Sequence, residues 1–275
     1  MNAPGISVLI LTRNEQRDLP AALESVAWSD DVHVFDSYST DATVEIARAA
    51  GAQVHSRVFD DYARHRNAAL AVPFRNPWLF ILDADERPTR ELSAEMQRAV
   101  AAAPENTAGF RLRRRDFLFG KWLKHAQISP YYIRLVRVGR ARYTRAINEV
   151  LEVAGPVDEL SYPLDHFPFS KGLAHWVAKH NSYSTMEAEL IVHQQGLQNP
   201  SLRTALSHPD FHTRRMHQKA FFYRMPARPL IKWCYMIFLR GALLDGAAGV
   251  TYATLQSFYE YLIVLKAREL RRGGA

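Results

Sequence analysis

Two carboxylates, Asp83 and Asp85, stand one residue apart where the apolar run Trp78-Leu79-Phe80-Ile81-Leu82 stops. At that spacing, in extended or turning backbone, they can address different parts of one ligand. One accepts hydrogen bonds from ribose hydroxyls while the other ligates Mg2+ or Mn2+, hard cations that take few protein oxygens and complete their shell with phosphate oxygens. A cation held there neutralises a departing diphosphate and orients it. Asp-X-Asp also opens many solvated loops, so the surrounding elements must decide between the readings.

Those elements alternate. "ISVLIL" (residues 6–11) predicts a strand covered on both faces, ending in Thr-Arg-Asn-Glu and followed by an amphipathic helix over "LPAALESVAW". Residues 31–37 predict the second strand and "STDATVEIARAAGA" its helix, with Ser39 or Thr40 as cap and Gly51 as stop. Residues 52–58, "DYARHRNAALAV" and "WLFIL" supply a third strand, a third helix and a fourth strand. This alternation implies an α/β fold with a doubly wound, mostly parallel sheet, in which ligands sit beyond the carboxyl ends of the strands. Three of those ends are polar and acidic: Thr12, Asn14 and Glu15; Asp36, Ser37 and Ser39; Asp83, Asp85 and Glu86. Asp36 reads either as a helix-capping acid or as an acceptor for a nucleobase. Neither G-x-G-x-x-G nor G-x-x-x-x-G-K-[ST] occurs, so dinucleotide-binding and P-loop readings lose their main support.

A chain of 275 residues, 48% hydrophobic and 23% charged, is globular in composition. Its one cysteine, Cys234, excludes an intrachain disulfide and fits a reducing compartment. No basic stretch precedes the first apolar run, so no signal peptide is expected, and the longest charge-free run, residues 246–259, is too short and polar to span a membrane. Lys and Arg exceed Asp and Glu by 35 to 28, a net charge of +7. Eleven basic residues and a single acid, Asp116, lie between Arg111 and Arg145, and a second basic stretch, 214–232, is interleaved with Phe221, Phe222 and Tyr223. Such faces attract nucleic acid, anionic membranes and phosphorylated substrates alike.

"SVLILTRNE", "DSYSTDATVEIARAAGAQV", "RNAAL" and "LDADERP" resemble the successive motifs of family 2 glycosyltransferases with the GT-A fold. "FLFGKWLKH", "YYIRLVRVG", "INEVLEV" and the C-terminal "FLRGALLDGAAGVTYATLQSFYEYL" are similar to a subgroup that includes lipopolysaccharide core β-1,4-glucosyltransferases. The resemblance runs in order along nearly the whole chain. It implies a GT-A-type sheet with a helical, amphipathic C-terminal region. The activity implied is inverting transfer of a hexose from a nucleotide diphosphate, UDP, to a lipid-linked saccharide. It also implies roles: Thr12, Asn14 and Glu15 in the first nucleotide-binding loop, Asp36 at the nucleobase, Arg66 near the nucleotide where the pattern has Lys, Asp83 at the ribose, and Asp85 on Mg2+ or Mn2+. Two positions depart from the pattern. Tyr38 replaces the glycine of Asp-Ser-Gly-Ser-Thr-Asp, and Asn148-Glu149 stands where the subgroup has His-Glu.

Inverting transfer needs one base to take the acceptor hydroxyl's proton. Glu149 is the candidate, with Asp158 and Asp165 behind it, and His166 matches a subgroup histidine that would support the metal or diphosphate. The segments "FRLRRRDF" and "YYIRLVRVGR" alternate apolar and basic residues, as strands with one packed and one cationic face would. Arg113, Arg115, Arg134 and Arg137 suit phosphates on an acidic glycolipid acceptor, and Trp122 either stacks on a sugar or fills the core. The expected organisation is a nucleotide-sugar-binding half, 1–110, an acceptor-binding half, 111–212, and a helical membrane-surface or association region, 213–275. In the last of these, Leu255, Phe258, Tyr259, Leu262 and Leu265 form one apolar stripe at helical spacing. Aromatic and basic neighbours favour a peripheral protein on the cytoplasmic face of an anionic membrane, with no nucleic-acid partner. Two alternatives remain at this point. A nucleotidyltransferase would usually carry a glycine-rich first loop, and a non-enzymatic basic membrane or nucleic-acid binder leaves the acidic strand ends without a purpose.

Overall fold

The computed structural model describes residues 5–144, 150–193, 199–209 and 211–273. The chain separates into two units, Met1–Phe117 with Ser129–Ser170, and Leu118–Ile128 with Lys171–Ala275.

The first unit opens with β1 (Ile6–Thr12), α1 (Leu19–Ser25), β2 (Val32–Asp36), α2 (Thr43–Ala49), β3 (Gln53–Ser56), α3 (Tyr62–Leu70) and β4 (Trp78–Asp83). β1 pairs in parallel with β2 and β4, and β2 with β3, which is the doubly wound arrangement the alternation predicts. Next come β5 (Glu86–Pro88), α4 (Arg90–Ala102), β6 (Gly109–Leu118), β7 (Lys121–Trp122, in the second unit), β8 (Tyr131–Arg137), β9 (Ala141–Thr144), β10 (Val150–Val153), β11 (Val157–Glu159) and β12 (Leu164–His166). The sheet runs β3-β2-β1-β4-β8-β6-β12-β5. β8 is antiparallel to both β4 and β6, so the sheet turns mixed past β4. β9 and β10 form a separate antiparallel pair.

Alternation along the strands divides the core between two faces. Val8, Ile10, Phe80 and Leu82 pack with Leu19 of α1 and with Leu92 and Met96 of α4. Leu9, Phe35, Leu79 and Ile81 pack on the other face with Ala69 of α3. Each such side chain contributes roughly 1.5–3 kcal/mol by leaving water. At the amino ends of these strands, buried Asp31 accepts from the Ser7 hydroxyl (2.5 Å), Gln53 Nε2 (3.0 Å), Arg75 Nε (3.1 Å) and the Arg75 backbone N–H (2.8 Å). One carboxylate thus ties β1, β3 and the segment entering β4 to the start of β2. The start of α2 differs from expectation: neither Ser39 nor Thr40 caps it. Ala42 holds the cap position without a side-chain bond, while Asp41 accepts the Thr43 N–H and the Ser39 hydroxyl is drawn to Asp36. Gly51, at φ 78°, follows that helix as expected.

The second unit contains α5 (Gly172–Val192), α6 (Leu202–Ser207), α7 (Phe211–Phe222), α8 (Arg228–Cys234), a π-helical turn (Tyr235–Leu239), a 3-10 turn (Ala242–Asp245) and α9 (Gly246–Gly273). α9 lies against α5 and α8. Its buried residues are Ala248, Gly249, Tyr252, Ala253, Glu260, Ile263 and Ala267. In the stripe expected at a membrane-surface or association face, Phe258 and Leu265 are exposed while Leu255, Tyr259 and Leu262 are half-buried. The chain approaches itself closely at the start of this helix: a Cβ on Gly249 would overlap the Ala242 carbonyl. Residues 118–128 are pinned into this unit by Asp245, which accepts the backbone N–H groups of His125 (2.9 Å) and Ala126 (2.7 Å) and pairs with His125 Nδ1 (2.8 Å). No helix among the described residues is long and apolar enough to cross a membrane.

Charge divides unevenly between the units. The second has 16 Lys and Arg against six Asp and Glu, while the first has 19 arginines, no lysine and 22 acids. The excess positive charge of the protein therefore belongs wholly to the second unit, at +10 against −3.

Candidate active site

Parallel pairing brings three polar strand ends into one row. Thr12 is opposite Asp36 across β1 and β2, and Leu11 is opposite Asp83 across β1 and β4. Buried Asp36 accepts from the Thr12 hydroxyl (2.8 Å), the Ser39 N–H (2.8 Å) and the Ser39 hydroxyl (2.5 Å). It therefore organises the loop and caps no helix. Asn14 meets this loop from the β1 side, its Oδ1 accepting the Thr40 N–H and its own N–H donating to Ser39. The Glu15 N–H donates to Thr43 Oγ1. Tyr38 takes φ 54°, a left-handed conformation that costs a side-chain-bearing residue about 1 kcal/mol. The backbone requirement behind the resembling pattern's glycine therefore survives its replacement.

Around the acids of β4 and β5 runs a chain of alternating charge. Asp83 Oδ1 pairs with Arg66 (3.0 Å) and Oδ2 with Arg134 (3.0 Å). Arg134 continues to fully buried Glu86 (2.6 Å), whose other oxygen accepts the Asp83 N–H (3.0 Å). Glu86 meets Arg114 (3.3 Å), and Arg114 approaches Asp116 (3.5 Å). Asp116 holds His166 Nδ1 (2.5 Å), and His166 Nε2 reaches Asp85 (3.4 Å). Register makes this possible, since His166 of β12 is opposite both Glu86 of β5 and Asp116 of β6. The chain leaves one carboxylate of Asp-X-Asp and returns to the other.

The electrostatic consequences follow from that arrangement. Burial alone would raise the Asp83 carboxyl, but the Arg66 and Arg134 guanidiniums outweigh it and hold the group well below the usual carboxylate range. Burial would lower His166, yet hydrogen bonds to Asp116 and Asp85 push it up to about 9. Arg134 is likewise raised by Glu86 and Asp83 against the cost of its burial.

Several expected site residues are thus gathered: Thr12 with Asp36, Arg66 with Asp83, and Asp85 with His166. Others lie elsewhere or are engaged by neighbours. Asp83 and Glu86 draw Arg134 into a nearly closed position. Arg137 lies opposite Trp78, at the far end of β4, where it donates to the Thr107 and Pro104 carbonyls and stacks on the Trp78 ring. Asp158 is beside Phe110 at that same far end. Arg115 is paired with Asp165 (2.6 Å), and Arg113 stacks on Tyr131, so the cationic face is largely answered by neighbours. Trp122 belongs to the second unit, exposed, with Lys124 over its ring. Glu149 lies outside the described residues. Glu86, Arg114 and Asp116 were not among the expected site residues. Asp116 did carry a signal as the lone acid among eleven bases.

Asp85 offers one carboxylate, its neighbour His166 being protonated at neutral pH, and among the described residues no group of three or more His, Cys, Asp or Glu converges on a common point. That donor set does not fit a closed structural zinc site. It does fit a hard divalent cation that takes the rest of its ligands from phosphate and water.

The family model described as glycosyl transferase family 2 matches residues 7–153. A lipopolysaccharide core biosynthesis glycosyltransferase, LpsC, of Rhizobium meliloti (strain 1021) is 26% identical over 271 residues, 95% of this chain and 91% of the relative. An uncharacterised glycosyltransferase of Rickettsia bellii is 25% identical over 279 residues, 96% of this chain and 86% of the relative. Among solved structures, glucosyl-3-phosphoglycerate synthase from Mycobacterium tuberculosis, in complex with Mn2+, UDP and glucosyl-3-phosphoglycerate, aligns at 22% identity and a TM-score of 0.34. That alignment covers 42% of this chain and 44% of that one, less than half of each.

Proposed function

The chain belongs to glycosyl transferase family 2, and on that premise we propose that it is an inverting, metal-dependent enzyme moving a hexose from UDP to a lipid-linked saccharide such as lipopolysaccharide core. The observation that carries this reading is the alternating chain of charge that begins at Asp83 and ends at Asp85. It keeps Asp83 ionised and holds both carboxylates in place before any ligand arrives, so little reorganisation is needed when the donor binds. A role in lipopolysaccharide assembly finds further support in the match to LpsC along most of both chains.

In this mechanism Asp83 accepts from the ribose hydroxyls while Arg66 fixes its other side. Asn14 and Glu15 flank the nucleotide from the β1 loop, with Asp36 and Thr12 bracing that loop where the base would lie. Asp85, with His166 beside it, would hold the divalent ion, which when bound neutralises the leaving diphosphate. Glu149 takes the proton from the acceptor hydroxyl as its oxygen bonds to the anomeric carbon and the bond to UDP breaks, inverting the configuration. A lipid-linked acceptor places the protein at the cytoplasmic face of the membrane, as a peripheral protein.

Isothermal titration tests the donor side: Asp85→Ala should lose Mn2+-dependent UDP binding. Wild-type affinity in that variant would end the metal assignment. Glu149→Gln should bind donor normally yet transfer at least ~10²-fold more slowly. A variant keeping above about a tenth of the rate would exclude Glu149 as the base. Hydrolysis of UDP-, GDP- and TDP-sugars in parallel identifies the donor.

A further inference from the structure

The second unit exposes large apolar side chains where its helices give way to turns. Leu239 is 80% exposed, Leu244 70%, Phe238 68% and Leu243 56%, four within seven residues. They project from the π-helical turn Tyr235–Leu239 and the 3-10 turn Ala242–Asp245, in which Met236, Ile237, Ala242 and Asp245 are buried and Tyr235 is exposed beside the tips. Gly241 and Gly246, both at left-handed φ (72° and 66°), allow the chain to fold back on either side of the second turn. The ridge is thus built into the fold and is not a frayed end.

Asp245 joins to this ridge the hairpin of residues 118–128 through its bonds to His125 and Ala126, and the Tyr252 hydroxyl donates to Gln127 (2.5 Å). That hairpin adds exposed Phe119 and Trp122, with Lys124 over the indole, and the Lys121 ammonium lies 3.2 Å from where a Cβ on Gly246 would sit. Apolar tips, two exposed aromatic rings and two lysines are thus tied together through Asp245, Gly246 and Tyr252 in a unit carrying +10. Soluble proteins rarely leave so many large apolar residues clustered in water. Phosphates of nucleic acid would not need the leucines. A second copy would set like charge against like. A bilayer with anionic headgroups satisfies both features, since the tips enter the acyl boundary while the lysines meet phosphate.

We propose that the ridge Phe238–Leu239 and Leu243–Leu244, with the pinned hairpin of Phe119 and Trp122, is the surface by which this protein docks on an anionic lipid bilayer. The proposal rests on the peripheral-membrane reading above and names the residues that would carry it.

Sedimentation with vesicles tests it, using phosphatidylcholine with phosphatidylglycerol and phosphatidylcholine alone. The wild type should bind the anionic vesicles, more weakly as salt rises, and bind the neutral ones poorly. Replacing two exposed tips, Leu239→Asp with Leu243→Asp, should weaken that binding by at least about tenfold. Leu206→Asp, at an exposed apolar site of α6, should leave it unchanged. Leu239→Trp should show blue-shifted emission on anionic vesicles, and Leu206→Trp should not. If the wild type ignores anionic vesicles, the membrane reading itself fails. If it binds but the double variant binds equally, or Leu206→Asp loses as much, the ridge assignment alone is overturned. A wild-type dimer that the double variant dissolves, with vesicle binding intact, would give the ridge to a second copy.

Discussion

Arg134 bridges Asp83 and Glu86 from a nearly closed position, and Glu86 has no exposure at all. Breaking such a bridge strands a buried anion. Arg134→Met should lower stability by about 3–5 kcal/mol in urea unfolding. Arg134→Lys should recover only part, because both bonds come from the terminal nitrogen Nη2, which the shorter lysine stem does not reach. Asp116 acts one step further along, through His166. Asp116→Asn should lower the melting temperature, since Asp116 is buried against Arg114 and His166. At temperatures where the variant stays folded, it should raise the Mn2+ concentration needed for half-maximal donor hydrolysis by about 10–100-fold. An unchanged Mn2+ requirement would reduce Asp116 to a structural acid. At this scale Asp83 and Asp85 were legible because an apolar strand stops at them abruptly. The engagement of Arg134 and Glu86 was not, since it joins residues 48 apart in sequence through strand register.

Asp31 does for the strands what the buried chain does for the acids. Burial would raise its carboxyl, but the Ser7 hydroxyl, both Arg75 donors and His33 prevail and lower it from 3.8 to about 2. A lowered folded-state value means the carboxylate stabilises the fold fully above about pH 4. That contribution, about 2 kcal/mol, is lost as the pH falls from there through 2. Thermal unfolding between pH 5 and 2 should therefore show an acid-side loss in the wild type that Asp31→Asn lacks, the variant being less stable already at pH 5. A parallel slope in both proteins would refute the role. The elements themselves were largely readable: continuous apolar runs marked β1 and β4, and alternating basic and apolar residues marked β6 and β8. The insertion of β8 between β4 and β6 was not, because strand order follows from tertiary pairing that no local pattern encodes. The close backbone approach at Gly249 was equally hidden, because it depends on where the turn before α9 places the Ala242 carbonyl.

Across the whole molecule, the charge division matters more than the total. The sequence placed the excess of +7 in two stretches, 111–145 and 214–232, yet the unit that holds most of the first is net negative and the helical unit strongly positive. Linear order hid this, because residues 118–128 group with the C-terminal helices, pinned there by Asp245 more than a hundred positions away. The same division places every lysine in the second unit, with Lys121, Lys124 and Lys171 bracketing the excursion. An endoprotease cutting only after lysine would thus nick the native protein around the first unit and never within it. The two surviving pieces, residues 1–121 and 125–171, would remain clasped by the pairing of β8 to β4 and β6 and of β12 to β5 and β6. Native mass spectrometry should weigh them as one particle and denaturant should part them, a split protein produced by where amines happen to lie.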